Sequence, residues 1–256
     1  MAVLSRYLQL LLATAAVNGS PINRRASIAS DAVVGFVETV PSGTVGAIYE
    51  AYKPYLKVVN GCVPFPAVDA SGNTNAGLNP TGASDGDCSS STGQVYVRGV
   101  TYGSYYAVMY SWYASLTISC LNQPTYVLNR YFPKDEPSTG LGHRHDWEGV
   151  IVWLTSSTST TADNILAVCP SAHGDWDCST DGYTLSGTSP LIQYESIWPI
   201  DHSAGLTTTV GGQQPMIAWE SLPAVASSAL STTDFGAAIV PFDDATFTSN
   251  LAKATF

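Results

Sequence analysis

The stretch GLGHRHDWEGVIVWL (residues 140–154) places two of the chain's four histidines, one arginine and two carboxylates within six residues, then runs at once into an apolar segment. Only 12% of the chain is Asp, Glu, Lys or Arg, so this concentration needs a reason. The run GVIVWL is β-branched and aromatic, which predicts a buried strand. If the strand begins inside HRHDWE, period-two alternation puts Asp146 and Glu148 on one face and His145 and Trp147 on the other. Neighbouring carboxylates repel unless a cation or a proton lies between them. Asp135 stands upstream in the proline-flanked FPKDEP. Three carboxylates with an imidazole suit a hard or borderline divalent cation that keeps some water. The alternative on the residues alone is a surface cluster in which Arg144 and Lys134 neutralise the acids. The spacing is not the H-E-x-x-H of zinc proteases. No G-x-S-x-G elbow, P-loop or dinucleotide fingerprint is present.

Working outward, GQVYVRGV, SYYAVMYSW, ILAVC, PLIQYE and QPMIAWE read as further short strands bounded by Gly, Ser and Pro. Short strands joined by polar turns predict a mainly β fold, a β-sandwich with a few peripheral helices. TVGAIYEAYKPYLKVV spaces Ile48, Tyr49, Tyr52 and Leu56 as a short amphipathic helix, with Pro54 as a breaker. VASSALS and DDATFTSNLAKATF read as short C-terminal helices, the second with Asp243 or Asp244 near its start. TSSTSTTAD reads as a polar surface loop.

The chain has 256 residues and a formal net charge of −10. That charge argues against binding nucleic acid or an anionic lipid surface through bulk electrostatics, so an anionic partner needs a local cation. The start of the chain reads as a secretory signal peptide over residues 1–19: Arg6, then the short apolar YLQLLLATAAV, then small residues. The apolar run is too short to span a bilayer. Residues 20–30 follow as a linker or propeptide, with NRR (23–25) as a dibasic processing site or a solvated linker. Residues 31–256 form one domain. Five cysteines fit an oxidising compartment. Cys62 and Cys88 bracket a Gly- and Asn-rich loop, and Cys169 and Cys178 are near enough to close a shorter one. This leaves Cys120 over.

GHRHDWE resembles the signature heptapeptide of the necrosis- and ethylene-inducing peptide-like proteins, the NLP family of secreted proteins from plant-associated microbes. KPYLKVVNGCVPFPAVDASGNTNAGL, AVMYSWY, YFPKDEP and SAHGDW resemble further blocks of that family, in its order. The resemblance implies an actinoporin-like β-sandwich and a bound divalent cation, Mg or Ca, with no catalysis. It implies a cytolysin-like virulence toxin, which binds the glycan headgroup of plant plasma-membrane sphingolipids and damages the membrane of susceptible plants. It also implies recognition by a plant immune receptor. Carried onto this chain, the metal set is Asp135, His143, Asp146 and Glu148, with Arg144, His145 and Trp147 in support. WPIDH resembles an element beside the sugar-binding cleft, which makes Trp198, Asp201 and His202 glycan-binding candidates; core packing is the other reading of Trp198. The resemblance also supports the Cys62–Cys88 bond. His173 in SAHGDW reads as a structural histidine. A non-lytic glycan-binding member, and a secreted metal-dependent glycan hydrolase using the paired carboxylates, are the competing expectations.

One segment departs from the family pattern. YASLTISCLNQPTYVLNR (113–130) separates MYSW from YFPKDEP and contains Cys120. The codons available for Trp112, Tyr113 and Arg130 permit splice-site dinucleotides at both ends, and removal keeps the frame. The segment therefore reads as a retained intron or a family-atypical insertion.

Overall fold

A computed structural model describes residues 25–78, 88–116, 144–197 and 201–256. In chain order it contains β1 (Ser27–Ile28), α1 (Thr44–Ala51), β2 (Tyr55–Val58), β3 (Thr74–Asn75), β4 (Val95–Tyr102), β5 (Tyr105–Leu116) and β6 (Arg144–Leu154). There follow β7 (Ile165–Ala172), β8 (Asp175–Trp176), β9 (Leu185–Ser186), β10 (Ser189–Ile197), β11 (Asp201–Leu206), β12 (Met216–Ala218), α2 (Ala224–Thr232) and α3 (Phe247–Lys253).

The sheet runs in the order β12-β4-β5-β6-β7-β11-β10-β2, with β8 on β7 and β9 on β10. The β5–β6 ladder is long, from Tyr106↔Leu154 to Leu116↔Arg144. The β7–β11 junction is a single pair, Ala172↔Ser203. The sheet turns its corner at this thin junction, and one half folds over the other. Val150, Val152 and Leu154 of β6 then share a core with Ile192 and Tyr194 of β10, Ala204 of β11, Leu56 of β2 and Ile48 and Tyr49 of α1. The opposite face of β6, with Trp147, Ile151 and Trp153, packs under Ala226, Leu230, Phe242, Phe247 and Leu251. Each large side chain so buried contributes roughly 1.5–3 kcal/mol. The expected β-sandwich is thus one curled sheet with helices on its outer face.

The helix predicted through Leu56 is shorter. α1 ends at Ala51, and Leu56 lies on β2, paired with Ile192. Pro54 has no N–H to donate, and it pushes the preceding residue out of helical backbone. Gly46 lets α1 start against the chain before it, because a Cβ there sits 1.9 Å from the Pro41 carbonyl oxygen. The two C-terminal helices form where expected. Asp243 Oδ1 accepts the Ala245 and Thr246 amides at 3.0 Å each. Asp244 instead pairs with Arg98 at 2.7 Å, and the Arg98 guanidinium stacks on Trp219 and Phe247. The polar loop after β6 is folded around Asn164, whose Nδ2 donates to the Ser156 and Ser159 carbonyls at 2.8 Å each.

Both proposed disulfides are formed, Cys62–Cys88 and Cys169–Cys178. Cys120 and most of segment 113–130 lie outside the described residues, as does the signal peptide reading of 1–19. Residues 25–30, read from sequence as the end of a linker or propeptide, lie on the domain. β1 pairs in parallel with β3. Ser30 Oγ donates to Asn75 Oδ1 at 2.7 Å. Arg25 donates to Thr232 and Ser228 of α2 at 2.8 Å each. No described helix is long and apolar enough to cross a membrane.

Candidate functional site

The β6–β7 ladder runs from Leu154↔Ile165 to Val150↔Pro170 and ends there. Pro170 brings no N–H to the ladder. Beyond it β7 pairs with β8 through Ser171↔Trp176 and Ala172↔Asp175. Residues 146–149 of β6 therefore continue past the last β7 register pair, and side chains take over the backbone hydrogen bonds. The Gly149 amide donates to Ser171 Oγ at 2.8 Å, and the Trp147 amide to Asp146 Oδ1 at 2.8 Å.

The Ser171 hydroxyl also donates to the Glu148 carboxylate, whose Oε2 takes the Ala204 amide of β11 at 3.4 Å. Glu148 is buried at 8% exposure, so these two donors set the direction of a carboxylate with little room to turn.

A cleft of about 550 Å3 opens at this point. Asp146, Glu148 and Ser171 line it, together with the 173–176 turn and residues of the C-terminal segment such as Ile239 and Lys253. Lys253 Nζ donates to the Gly174 carbonyl at 2.8 Å, which ties α3 to that turn. Glycine at 149 lets β6 lie close to the Tyr110 carbonyl of β5, with Trp176 at ordinary contact distance above it. A Cβ there sits 2.8 Å from the Tyr110 carbonyl oxygen and 3.4 Å from Trp176 Cη2.

The residues on the other face of β6 pack under the C-terminal segment, and Trp147 among them also lines the cleft. Tyr113 Oη lies 2.5 Å from His145 Nδ1, and the His145 ring meets Phe235 edge-on. Trp147 is buried among Tyr96, Tyr113 and Phe242. Arg144 Nη1 donates to the Ala76 carbonyl at 3.2 Å and pins the start of β6. The predicted division, acids on one face and His145 with Trp147 on the other, is the one observed.

Asp135, His143 and Trp198 lie outside the described residues. Asp201 and His202 have their backbone in β11, paired with Ile197 and Ser196 of β10, and their side chains are not described. Among the described residues no group of three or more His, Cys, Asp and Glu side chains gathers to hold a metal. The described pair, Asp146 and Glu148, offers hard oxygen donors, which fit Mg2+ or Ca2+ and not a metal that selects thiolate. Ser171 and Trp176 were missed in the sequence; Pro170 ending an apolar strand was the signal for the first. His173, read as structural, lines the cleft from an exposed turn with φ 57°.

The chain matches the family described as Necrosis inducing protein (NPP1) over residues 46–118 and 119–254. The chain belongs to that family. It is 41% identical over 237 residues to NLP effector protein 10 of Phytophthora capsici, covering 91% of this chain and 93% of the relative. It is 41% identical over 234 residues to necrosis-inducing protein NPP1 of Phytophthora nicotianae, covering 90% and 91%. A solved structure described as NLPPya in complex with mannosamine superposes with a TM-score of 0.78 at 44% identity, over 90% of this chain and 100% of that one. NLPPya has also been solved with glucosamine. HaNLP3, described as non-toxic, superposes with a TM-score of 0.76 at 34% identity, over 88% and 98%. The curled sheet described above is therefore the NLP toxin fold, an actinoporin-like β-sandwich.

Proposed function

We propose that this NLP chain is a secreted necrosis-inducing effector of the cytolysin kind. It binds the glycan headgroup of plant plasma-membrane sphingolipids at the β6 cleft and damages that membrane. The carrying observation is the pair Asp146 and Glu148, on one strand face at a cleft opened by the end of the β6–β7 ladder. The amino-sugar complexes of NLPPya support a sugar as the ligand.

Asp135, His143, Asp146 and Glu148 are the residues that would hold a divalent cation, Mg2+ or Ca2+. Such an ion supplies a positive centre to which sugar hydroxyls bind in place of water. An acidic chain of net charge −10 gains nothing from long-range attraction to an anionic lipid, so a local centre suits it. Ser171 and the Ala204 amide orient Glu148. Arg144, His145 and Trp147 fix the strand that carries the acids. β11 brings Asp201 and His202 into the strand that touches Glu148 through Ala204, and with Trp198 they are the glycan-contact candidates. The site works by binding, and no bond of the glycan is broken.

A second reading is favoured by HaNLP3, which has the same fold and is described as non-toxic. In that reading the chain binds glycan without lysis and acts on the plant as a pattern seen by an immune receptor. Dye release from vesicles with and without the plant sphingolipid, and with and without chelator, separates the readings. Release that needs both lipid and metal supports the cytolysin. Binding without release supports the non-lytic member. Turnover of a soluble glycan overturns both in favour of a hydrolase.

A further inference from the structure

We infer that the cleft takes a saccharide of at least two units, with Trp176 as the platform for the sugar beyond the one at the carboxylates. The inference rests on the glycan-binding reading above and extends it to a part of the cleft that this reading does not use.

Trp176 lines the same cleft as Asp146 and Glu148 and is only half-buried. Its indole lies against Gly149, the residue that follows Glu148, at the approach given above. By strand alternation a side chain at 149 faces the Trp147 side of β6, so the ring lines the same cleft from the strand face opposite the two acids. The apolar C–H face of a pyranose packs on such a ring while its hydroxyls reach polar groups at the rim. His173 and Asp175, both exposed on the adjoining turn, are polar rim groups of this kind.

The ring is held before any ligand arrives. β8 carries it in register with Ser171, the same residue that orients Glu148. The Asp177 amide donates to the Pro170 carbonyl at 2.9 Å. Cys178, two residues on, is bonded to Cys169 of β7. A platform fixed on both sides needs little ordering when a sugar stacks on it. At about 550 Å3 the cleft lies within the range of pockets that hold ligands larger than one sugar ring.

The test uses calorimetry on the full chain with Mg2+ present. The probes are glucosamine and its 1→4- and 1→6-linked disaccharides. The expected result is that one disaccharide binds about tenfold more tightly than glucosamine. Trp176→Ala then loses that gain and keeps glucosamine affinity within about twofold, while Trp176→Tyr restores the gain. A measurement on the unmutated chain guards against misfolding of the variant: the Trp176 indole N–H resonance shifts with the disaccharide and stays with glucosamine. No gain from either disaccharide, equal weakening of mono- and disaccharide in Trp176→Ala, or an unmoved Trp176 resonance overturns the platform and leaves the glycan reading standing. Failure of the unmutated chain to bind any of the three sugars overturns that reading and the platform with it.

Discussion

Glu148 accepts the hydroxyl of Ser171, a residue on the next strand at the point where the two strands part. The same carboxylate oxygen takes the Ala204 amide from β11. One acid is thereby held by both strands that meet at the sheet's corner. Glu148 and the strand bearing Asp201 and His202 are parts of one hydrogen-bonded unit.

Ser171→Ala removes a donor to Glu148 and the acceptor of the Gly149 amide. We expect a stability loss of about 1–3 kcal/mol by denaturant melting. Glucosamine affinity should fall about fivefold. Ser171→Thr keeps the hydroxyl and should recover most of both. Full glucosamine affinity in Ser171→Ala would show that Glu148 needs no positioning.

Deletion of residues 113–130 should give a protein that folds at least as well as the full chain. Tyr113 is fully buried, stacks edge-on with Phe235 and has its hydroxyl 2.5 Å from His145 Nδ1. Deletion places Tyr131 directly after Trp112, so a tyrosine keeps that position and FPKD follows at once. The two stretches that match the family meet inside this segment. Melting temperature and leaf infiltration of both forms check this, and transcript sequencing decides which form is made. A deleted form that fails to fold would refute the insertion reading.

The core tyrosines should make the fold fail in alkali. Burial pushes the Tyr49, Tyr96 and Tyr110 hydroxyls up from their usual value, and Glu220 adds to the effect at Tyr49. A raised folded-state pKa means that the folded state holds its protons longer than the unfolded one. The resulting stability is intact below about pH 10 and is lost as pH rises beyond it. A spectrophotometric titration should find fewer than the chain's fourteen tyrosines ionised before the sheet unfolds. Ionisation of all fourteen near pH 10 with the fold intact would contradict this.

Replacing Cys169 and Cys178 with Ala opens a short loop, with a sequence separation of 9. The chain-entropy account puts the cost at about 2–3 kcal/mol. Because the bond secures β8 and its Trp176 to β7, affinity for the tighter-binding disaccharide should fall toward that of glucosamine, which calorimetry under native conditions reads directly; an unchanged disaccharide affinity would contradict this.

The parts of this architecture legible in the sequence were those set by local pattern. β4, β5, β6, β7 and β10 are runs of β-branched and aromatic residues buried in the sheet, and alternation alone put Asp146 and Glu148 on one face. β2 was hidden because LKVV follows a helix without an apolar break, and only Pro54 marks the change. β11, DHSAGL, has no apolar run and is a strand because β10 supplies its register. The role of Ser171 depends on where the β7 ladder ends, and the cleft wall from the C-terminal segment depends on Lys253 reaching Gly174, some eighty residues away. Such contacts are tertiary and leave no periodic trace.

In the proposed function the acids of β6 hold the ion that holds the sugar. Paired titrations of Mg2+ or Ca2+ and of glucosamine into folded Asp146→Ala test it most directly. Both affinities should fall together, by about tenfold or more. Glucosamine binding unchanged from that of the unmutated chain would contradict it.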